Sequence, residues 1–494
     1  MSAYREDFED KPLLERIRDN PGPAVRWGAV LAALLALEFG ALMTFVMSWP
    51  WNMVVGGIAS NLPAAAADAW RTIASVPATV GDALASLPTL LNRNVIPNQG
   101  WEHPARGWQG TFMGLPPAIA WGFRTFLIYA YSAVTLYWVW RGYLVFREHY
   151  RYADWTPSDD VVDRFRGHRW GQFGLIIVAA FVIMAIFAPA LGPTTAQANL
   201  RAPYSNYIQT WDEDMGEVRE VTVGTANLGS ASQGTAQNYG LGSYDPFGRF
   251  HPFGTLSNGK DLFTFMAHGS RISLFIGLVA IGIAGSVALS LSILTAYYKG
   301  IADLVTVVAA DAFMAMPRLL VLIMLSVVLS NHWISKIYNG GLLIALLFGL
   351  WSWPGLWRVV RGPAFQAAEN EWVDAAESYG QPTWDLVKTH IAPFTLTYLL
   401  IYASMSIGGV IIGTAGLSFL GIGITAPTPE WGRAVAMGQS YVATQSWHIS
   451  ILPGIAVTMV VVAFNALSDG IRDARDPKSE GGSADEVTVS GGGA

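Results

Sequence analysis

The sequence predicts an all-α polytopic membrane protein with about eight transmembrane helices. Hydrophobic residues make up 52% of the 494-residue chain and charged residues only 13%, whereas charged residues supply about a quarter of an ordinary soluble domain. The charges are concentrated in a few loops. Between them lie apolar runs of about 20 residues, the length that crosses a hydrocarbon core about 30 Å thick. Many of the 20 Trp and 18 Tyr residues lie near the ends of these runs, as expected of an interfacial aromatic belt.

The composition excludes several classes of protein. The chain has no cysteine, so it can form no disulfide, thiolate metal site or cysteine nucleophile. Its net charge is −6, and no basic patch interleaved with aromatic residues supports nucleic-acid binding. No His, Asp and Glu set occurs at metal-ligand spacing, so the sequence predicts neither a metal nor a cofactor in this chain.

Arg-rich loops orient the eight predicted spans. The charged residues 1–26 precede a full-length apolar run, which indicates a retained anchor rather than a cleaved signal peptide. The loop after the second span carries six Arg residues between Arg141 and Arg169, and the positive-inside rule places it in the cytoplasm. Both termini are then cytoplasmic. The predicted spans are Trp27–Ser48, Ala118–Trp140, Gly171–Leu191, Ile272–Tyr297, Leu304–Leu329, Leu342–Val360, Phe394–Ile424 and Ile449–Leu467.

Changes of composition divide the chain into segments. Two stretches in the first external region, 68–75 and 82–91, are predicted to be interfacial amphipathic helices. A polar region rich in Gly, Asn and Ser is predicted to contain a strand at Val218–Val223. The segments are a cytoplasmic N-terminus (1–26), an extension with two spans (27–169), the first span of a core (170–192), an external subdomain (193–270), the remaining core (271–477, with a cytoplasmic loop at 368–393) and a disordered tail (478–494).

A polar island at Glu371–Pro393 interrupts the apolar core. Acidic residues early in the island predict a short helix from Glu371 to Tyr379, and Gly380 is expected to end it in a left-handed conformation. Thr383 is expected to cap a second short helix, and Pro393 suits the first turn of the next span. Two short helices that meet at a glycine, with the small Ala375 and Ala376 beside them, predict a docking knob. An ordinary polar loop between two spans is the alternative.

Two carboxylates lie within predicted spans, where ionisable residues are candidate functional sites. Glu38 is in the first span, and Asp311 lies shortly before Pro317, which is expected to kink its span. Either carboxylate could couple transport to protons. The alternative is a structural bond to a neighbouring helix or to Arg124. A third group consists of glycines that suit either close helix packing or a hinge; its members are Gly408, Gly409, Gly413 and Gly416. The first three are expected to break the predicted span Phe394–Ile424.

One segment nearly matches a phosphate-binding loop. Gly254–Lys260 has the required glycine and lysine spacing, but Asp261 stands where the loop needs Ser or Thr for magnesium. The segment also lies outside the cell in the predicted topology. Nucleotide chemistry is therefore assigned to another chain.

Several motifs in order resemble the second permease subunit of dipeptide/oligopeptide-type and nickel-type ABC importers, over about residues 170–478. Asp374-Ala-Ala, Gly380 and Ile391-Ala-Pro393 are similar to the cytoplasmic Glu-Ala-Ala loop of these permeases. The chain departs from the family pattern at Asp374 (usually Glu), Ala392 (usually Leu) and Thr414 (often Glu). The other matching stretches are His251–Thr255, Gly269–Leu274, Leu417–Gly423, Pro427–Gly432, Phe464–Asp473 and Asp476–Pro477.

The resemblance implies a six-span permease core that pairs with a homologous permease, two cytoplasmic ATPases and an external binding protein in the cell membrane. It makes the polar island a coupling helix that seats in a groove on an ATPase and catalyses nothing itself. The implied coupling residues are Glu371, Asp374, Ala375, Ala376, Gly380, Ile391 and Pro393, and the candidate pathway or hinge residues are Asp311, Pro317, Gly408, Gly409 and Gly413.

Two other functions compete with this interpretation. A stand-alone ion-coupled transporter would use Glu38 and Asp311, although the sequence shows no internal repeat of the kind common in such proteins. An intramembrane enzyme has no catalytic constellation to support it. The substrate stays open among dipeptides, longer peptides, nickel chelates and sugars.

Overall fold

A computed structural model of the chain describes residues 11–475 except 48, 50, 61, 64–65, 69, 71–88, 154 and 232–237. The chain forms two compact units. The first unit comprises Met1–Asp159, Ala180–Arg271 and Met437–Leu452, and the second comprises Asp160–Ala179, Ile272–Ala436 and Pro453–Ala494. The predicted disordered tail and most of the two predicted amphipathic helices lie outside the described residues.

The first half of the chain contains helices and three short β-hairpins. Each hairpin is a two-stranded antiparallel sheet, with strands paired β1–β2, β3–β4 and β5–β6. The strand predicted at Val218–Val223 is confirmed as β4. The elements are α1 (Leu13–Asp19), α2 (Pro21–Leu37), α3 (Phe39–Met47), α4 (Trp51–Ala59), β1 (Trp101–His103), β2 (Gly107–Gln109), α5 (Pro117–His149), α6 (Pro157–Gly167), α7 (Arg169–Ile186), α8 (Ala188–Leu191), β3 (Tyr207–Asp212), β4 (Glu217–Thr222), α9 (Val223–Gly229), β5 (Ser243–Tyr244) and β6 (Phe250–His251).

All regular elements in the rest of the described chain are helices. A single residue, Lys299, separates the helices Leu262–Tyr298 and Gly300–Ala315. The tight turn predicted between these two spans is therefore confirmed, and it is shorter than expected. The helices are α10 (Leu262–Tyr298), α11 (Gly300–Ala315), α12 (Arg318–Val328), α13 (Trp333–Lys336), α14 (Gly341–Ala368), α15 (Glu371–Ser378), α16 (Thr383–Leu386), α17 (Ala392–Phe419), α18 (Trp431–Gly438) and α19 (His448–Arg475).

The helices confirm a polytopic all-α membrane fold. Among the described residues, five helices are long and apolar enough to cross a membrane, or seven if each of two bent pairs forms one span. The second predicted span, Ala118–Trp140, lies within α5, which is 33 residues long but does not meet that criterion. Its sequence contains Arg124 and several Trp and Tyr residues, which lower its mean hydropathy.

The first predicted span is not one continuous helix. The chain breaks at Glu38, and α2 and α3 meet at an angle of 64°. The Glu38 side chain is 1% exposed, and its Oε1 accepts a hydrogen bond of 2.8 Å from the backbone N–H of Leu91. A buried carboxylate needs such donors, so the bend is associated with a polar contact that the apolar pattern of the sequence does not reveal.

Helices α2 and α5 are joined by a reciprocal pair of tryptophans. The indole N–H of Trp27 donates to the carbonyl of Trp138, and the indole N–H of Trp138 donates to the carbonyl of Trp27, both at 3.0 Å. Gly142 makes this contact possible, because a Cβ there would lie 2.5 Å from the Trp27 ring.

We expect Gly142→Ala to destabilise the chain by about 1–3 kcal/mol, because an added methyl group must displace a ring that two hydrogen bonds hold. Gly122→Ala is the matched control on the same helix, since nothing lies within 4 Å of its Cβ position. That control should be neutral or stabilising by up to about 1 kcal/mol. The measurement is thermal unfolding of the purified chain in lipid nanodiscs, and equal midpoints for the two variants would contradict the packing argument.

The second unit packs α10, α11, α14 and α17 around a buried cluster that includes Ala284, Ala310, Trp357 and Leu399. The predicted kink at Pro317 is confirmed, because α11 and α12 meet there at 82°. The glycine breaks predicted in the span Phe394–Ile424 are wrong. Helix α17 is continuous through Gly408, Gly409 and Gly413 and ends at Phe419 rather than Ile424.

Candidate functional site

The polar island folds as two short helices that meet at Gly380. Helix α15 ends at Ser378, and Gly380 follows with φ = 77°, a left-handed conformation that side chains with a Cβ disfavour. The N–H of Gly380 donates to the carbonyl of Glu377 at 2.9 Å, and the N–H of Gln381 donates to that of Ala376 at 3.1 Å. These bonds satisfy carbonyls at the end of α15, so the predicted role of Gly380 as a helix stop is confirmed.

Thr383 does not cap the second helix as predicted. It is the first residue of α16, and its side chain makes no capping hydrogen bond. Its hydroxyl lies instead 2.9 Å from the hydroxyl of Tyr297. This bond links the island to the end of α10. The sequence could not predict it, because a residue 86 positions away supplies the partner.

A small apolar cluster packs against the buried side of the island, and we call it the supporting cluster. Val373, Leu386 and Ile391 are 0–3% exposed and pack with Ala367. Ile293 and Tyr297 of α10 and Phe394 of α17 pack against the same cluster. The two short helices are therefore attached by their apolar sides to three long helices, α10, α14 and α17.

The opposite side of the island is exposed. Tyr379 is 93% exposed and Trp384 is 72% exposed, and large aromatic side chains in such a position are typical of protein interaction sites. Sequence reasoning missed these two residues, although aromatic residues in a polar loop were a usable signal. We call the exposed residues Glu371, Asp374, Ala375, Tyr379, Gly380 and Trp384 the island face.

The predicted coupling residues therefore divide into two groups. Glu371, Asp374, Ala375 and Gly380 are on the island face, and Pro393 is also exposed at the start of α17. Ala376 is partly buried against the supporting cluster. Ile391 is fully buried in that cluster, so within this chain it anchors the island.

The carboxylate of Asp311 has a partner on a neighbouring helix. Asp311 forms an ion pair with Arg358 of α14, and Asp303 forms one with Arg361 of the same helix. Arg124 bonds instead to the carbonyl of Ile96 at 2.7 Å, and to the side chain of Asn98. The alternative in which Asp311 bonds to a neighbouring helix is thus supported, and a bond to Arg124 is not.

A cavity of about 580 Å³ lies between helices of the second unit. Gly409, Met316 and Arg318 are among its lining residues. Arg318 lies 4.9 Å from the centre of the Phe348 ring and donates to the Ser352 hydroxyl at 3.3 Å. A cation beside an apolar cavity suits a ligand with a carboxylate. Sequence reasoning missed Arg318, which directly follows the predicted kink.

The other candidate pathway residues do not line this cavity. Gly408 lies against the backbone of Val461, with 3.4 Å between its Cβ position and the Val461 Cα, and the Cβ position of Gly413 is 2.8 Å from the Phe348 ring. Both glycines permit close helix packing, which is one of the two roles predicted for them. Nothing lies within 4 Å of the Cβ positions of Gly409 and Gly416.

A buried ionic network lies in the segment predicted to be external. His251 Nδ1 is 2.9 Å from an Asp261 carboxylate oxygen, and its Nε2 is 3.6 Å from Asp245, which bonds to Arg249 Nε at 2.6 Å. Burial disfavours the charged imidazole, but the two carboxylates outweigh it and raise the pKa of His251. Burial also acts to raise the pKa of Asp245, yet His251 and Arg249 lower it to about 2.

Folding therefore raises the pKa of His251 above that of the unfolded chain. The native state then holds more protons, and this contribution to stability is complete below about pH 6.5. We expect it to be lost as the pH rises through the raised pKa. Asp245 contributes nothing to this change, because its lowered pKa is relevant only in strong acid. The measurement is thermal unfolding as a function of pH, with proteolysis within residues 193–270 as a local readout.

His251→Gln should remove this pH dependence, whereas the exposed His332→Gln should leave it unchanged. A native chain whose stability is constant from pH 6 upward would show that His251 is not held as a cation.

The long apolar helices, the cavity and the anchored polar island define a membrane permease. A family model for the inner membrane component of binding-protein-dependent transport systems matches residues 288–481, and one for the N-terminal TM domain of oligopeptide transport permease C matches residues 156–207. The chain belongs to the family of binding-protein-dependent transport permeases. It is a permease subunit of an ABC importer, a class in which partner ATPases hydrolyse the ATP.

Curated relatives agree with this assignment. The chain is 36% identical over 231 residues to the probable D,D-dipeptide transport system permease protein DdpC of Escherichia coli strain K12. That alignment covers 47% of this chain and 74% of the relative. It is 27% identical to the dipeptide permease DppC of Alkalihalophilus pseudofirmus and 30% identical to the glutathione permease GsiD of Escherichia coli O1:K1. Each of these two alignments covers 66% of this chain and 92% of the relative.

Proposed function

We propose that this chain transports short peptides as one of two homologous permease subunits, together with two cytoplasmic ATPases and an external binding protein. The names of the three relatives support this substrate class, because D,D-dipeptides, dipeptides and glutathione are all short peptides. Arg318 beside the core cavity is also consistent with it, since every unmodified peptide ends in a carboxylate. The cavity volume of about 580 Å³ lies within the 300–1,000 Å³ typical of small-ligand pockets.

The island face is the proposed contact with an ATPase. This proposal rests on the two different sides of the island. One side exposes aromatic side chains, with Tyr379 93% exposed, and the other side packs into the supporting cluster, with Leu386 0% exposed. A partner that moves the island face also moves α10, α14 and α17, because the supporting cluster joins them. The long helices would then tilt as rigid bodies, one of the known forms of switching transition.

The proposed orientation places both termini and the island in the cytoplasm of a cell with this protein in its inner membrane. Two groups of basic residues support it under the positive-inside rule. One is the Arg-rich loop between Arg141 and Arg169, and the other is the end of α19 with Arg472 and Arg475. Residues 193–270 are then exposed on the outer side.

The stand-alone ion-coupled transporter gains no support from the geometry. Asp311 is paired with Arg358 of the neighbouring helix α14, and this ion pair gives it a structural role. Glu38 accepts a backbone hydrogen bond at a helix break, which is a sufficient structural role.

Co-purification tests the proposal. The full-length chain is expected to retain two ATPase subunits, and Tyr379→Ser/Trp384→Ser should release them while the permease stays inserted in the membrane. Tyr207→Ser is the control, because Tyr207 is 64% exposed but lies on β3, far along the chain from the island. ATP-independent, ion-driven uptake of peptide by this chain alone in liposomes would refute the assignment.

A further inference from the structure

The β1–β2, β3–β4 and β5–β6 hairpins line a second cavity, of about 650 Å³. We call it the aromatic cleft, and its aromatic lining consists of Trp101, His103, Trp108, Trp211, Tyr244 and Phe247. The two family models cover residues 156–207 and 288–481. All of these lining residues lie outside both ranges, so the family assignment does not account for the cleft.

The aromatic side chains of the cleft form two packed groups. The rings of Trp101 and Trp211 are stacked, with centroids 5.7 Å apart and planes at 15°, and the His103 ring lies 4.6 Å from that of Trp211. Trp108 packs with Tyr244 at 6.0 Å. Residues from three separate hairpins therefore hold each other in place, and the cleft is built by the fold rather than by a single flexible loop.

The charge of the lining is negative. Glu102 and Glu213 both line the cleft and are exposed, and within the described part of the chain neither has an ion-pair partner. Asp245 also borders the cleft, but it is buried and neutralised by Arg249. Lys and Arg are absent from the described lining. Two unpaired carboxylates among aromatic rings thus make the cleft attractive to cations.

We propose that the aromatic cleft binds an organic ammonium group, as found at the amino terminus or the lysine side chain of a short peptide. Aromatic faces attract an ammonium through the ring quadrupole, and the carboxylates add a directional ion pair. A cavity of about 650 Å³ is large enough for a drug-sized ligand, so a tripeptide fits better than a single small cation. In the proposed orientation the cleft faces the outside and captures cationic peptides there. Binding to the cleft is independent of transport, and the test below requires no ATPase.

The test is calorimetric titration of the full-length chain in lipid nanodiscs with trilysine. N-acetyl-triglycinamide and maltotriose serve as uncharged comparison ligands. Trilysine is expected to bind, and the two uncharged ligands are not. Glu102→Gln/Glu213→Gln should weaken trilysine binding about tenfold, because both carboxylates then lose the charge that pairs with an ammonium group. The control is Glu217→Gln/Glu220→Gln, which removes two exposed carboxylates of β4 that do not line the cleft.

Trp211→Ala should also weaken binding, with Trp170→Ala as the control, because Trp170 is exposed and does not line the cleft. If Trp211→Ala fails to fold, the paired glutamine variant still decides, because its two sites are exposed and close in shape to the native ones. Equal binding of trilysine by that variant and by the native chain would overturn the proposal. Binding of N-acetyl-triglycinamide as tight as that of trilysine would do the same, and binding of maltotriose in place of trilysine would reassign the cleft to sugars.

Discussion

Gly380→Pro is expected to abolish peptide transport while ATP hydrolysis by the assembled importer continues. Gly380 has φ = 77°, whereas proline fixes φ near −65°. Proline also removes the N–H that donates to the carbonyl of Glu377. The two short helices then cannot keep their mutual angle, so the island face loses its fit to the proposed ATPase groove. The measurement is ATP hydrolysis and peptide uptake by the complete complex in proteoliposomes.

A graded series at Gly380 separates backbone strain from loss of folding. Gly380→Ala should reduce coupling by about tenfold, because the left-handed conformation costs a residue with a Cβ about 1–2 kcal/mol. Gly380→Asn should retain more coupling, since Asn adopts this conformation more readily. Gly362→Ala on α14 is the control, because nothing lies within 4 Å of the Cβ position at either glycine. Normal coupling in Gly380→Pro would remove the island from the mechanism.

Features that depend on a few neighbouring residues were predictable from the sequence. The helix stop at Gly380 follows from the absence of a Cβ, and the kink at Pro317 follows from the missing N–H. The strand β4 is likewise indicated locally, by the β-branched residues Val218, Val221 and Thr222. In each case a few neighbouring residues determine the local backbone conformation, so no contact with a distant residue is needed.

Features that depend on distant partners were not predictable. The glycines of α17 were expected to break the helix, but the helix is continuous, and Gly408 and Gly413 lie instead at close contacts with Val461 and Phe348. Thr383 was expected to cap a helix and bonds to Tyr297 instead. The aromatic cleft is the extreme case. Its lining comes from three hairpins at residues 101–108, 210–213 and 244–248, and no spacing in the sequence indicates that they meet.

The island and the buried ionic network follow the same structural logic. In both, a buried contact fixes a polar segment to the end of a long helix. In the island the contact is made by Leu386, and in the network it is made between His251 and Asp261. The island is exposed on its other side and suits a moving contact. The network consists of buried residues, His251, Asp245 and Asp261, and it therefore suits a fixed contact at the start of α10.

Asp261→Ala is expected to cause the largest loss of stability in this part of the chain, about 3–5 kcal/mol, because it removes one partner from a buried ion pair. The Asp261 side chain also accepts a hydrogen bond of 2.6 Å from the N–H of Thr264, which caps α10. Asp261→Asn separates the two effects. Asn caps a helix about as well as Asp but carries no charge, so it should lose the ion pair and keep the cap.

The two variants therefore make different predictions for the same unfolding experiment. Asp261→Asn should lower stability less than Asp261→Ala, by the value of the cap, about 0.5–2 kcal/mol. It should also shift the loss of stability to lower pH, because His251 then has only Asp245 to favour its charged form. Thermal unfolding of both variants in nanodiscs from pH 5 to pH 9 measures these differences. Identical curves for the two variants would mean that the contact between Asp261 and Thr264 contributes nothing, and that the joint at α10 depends on charge alone.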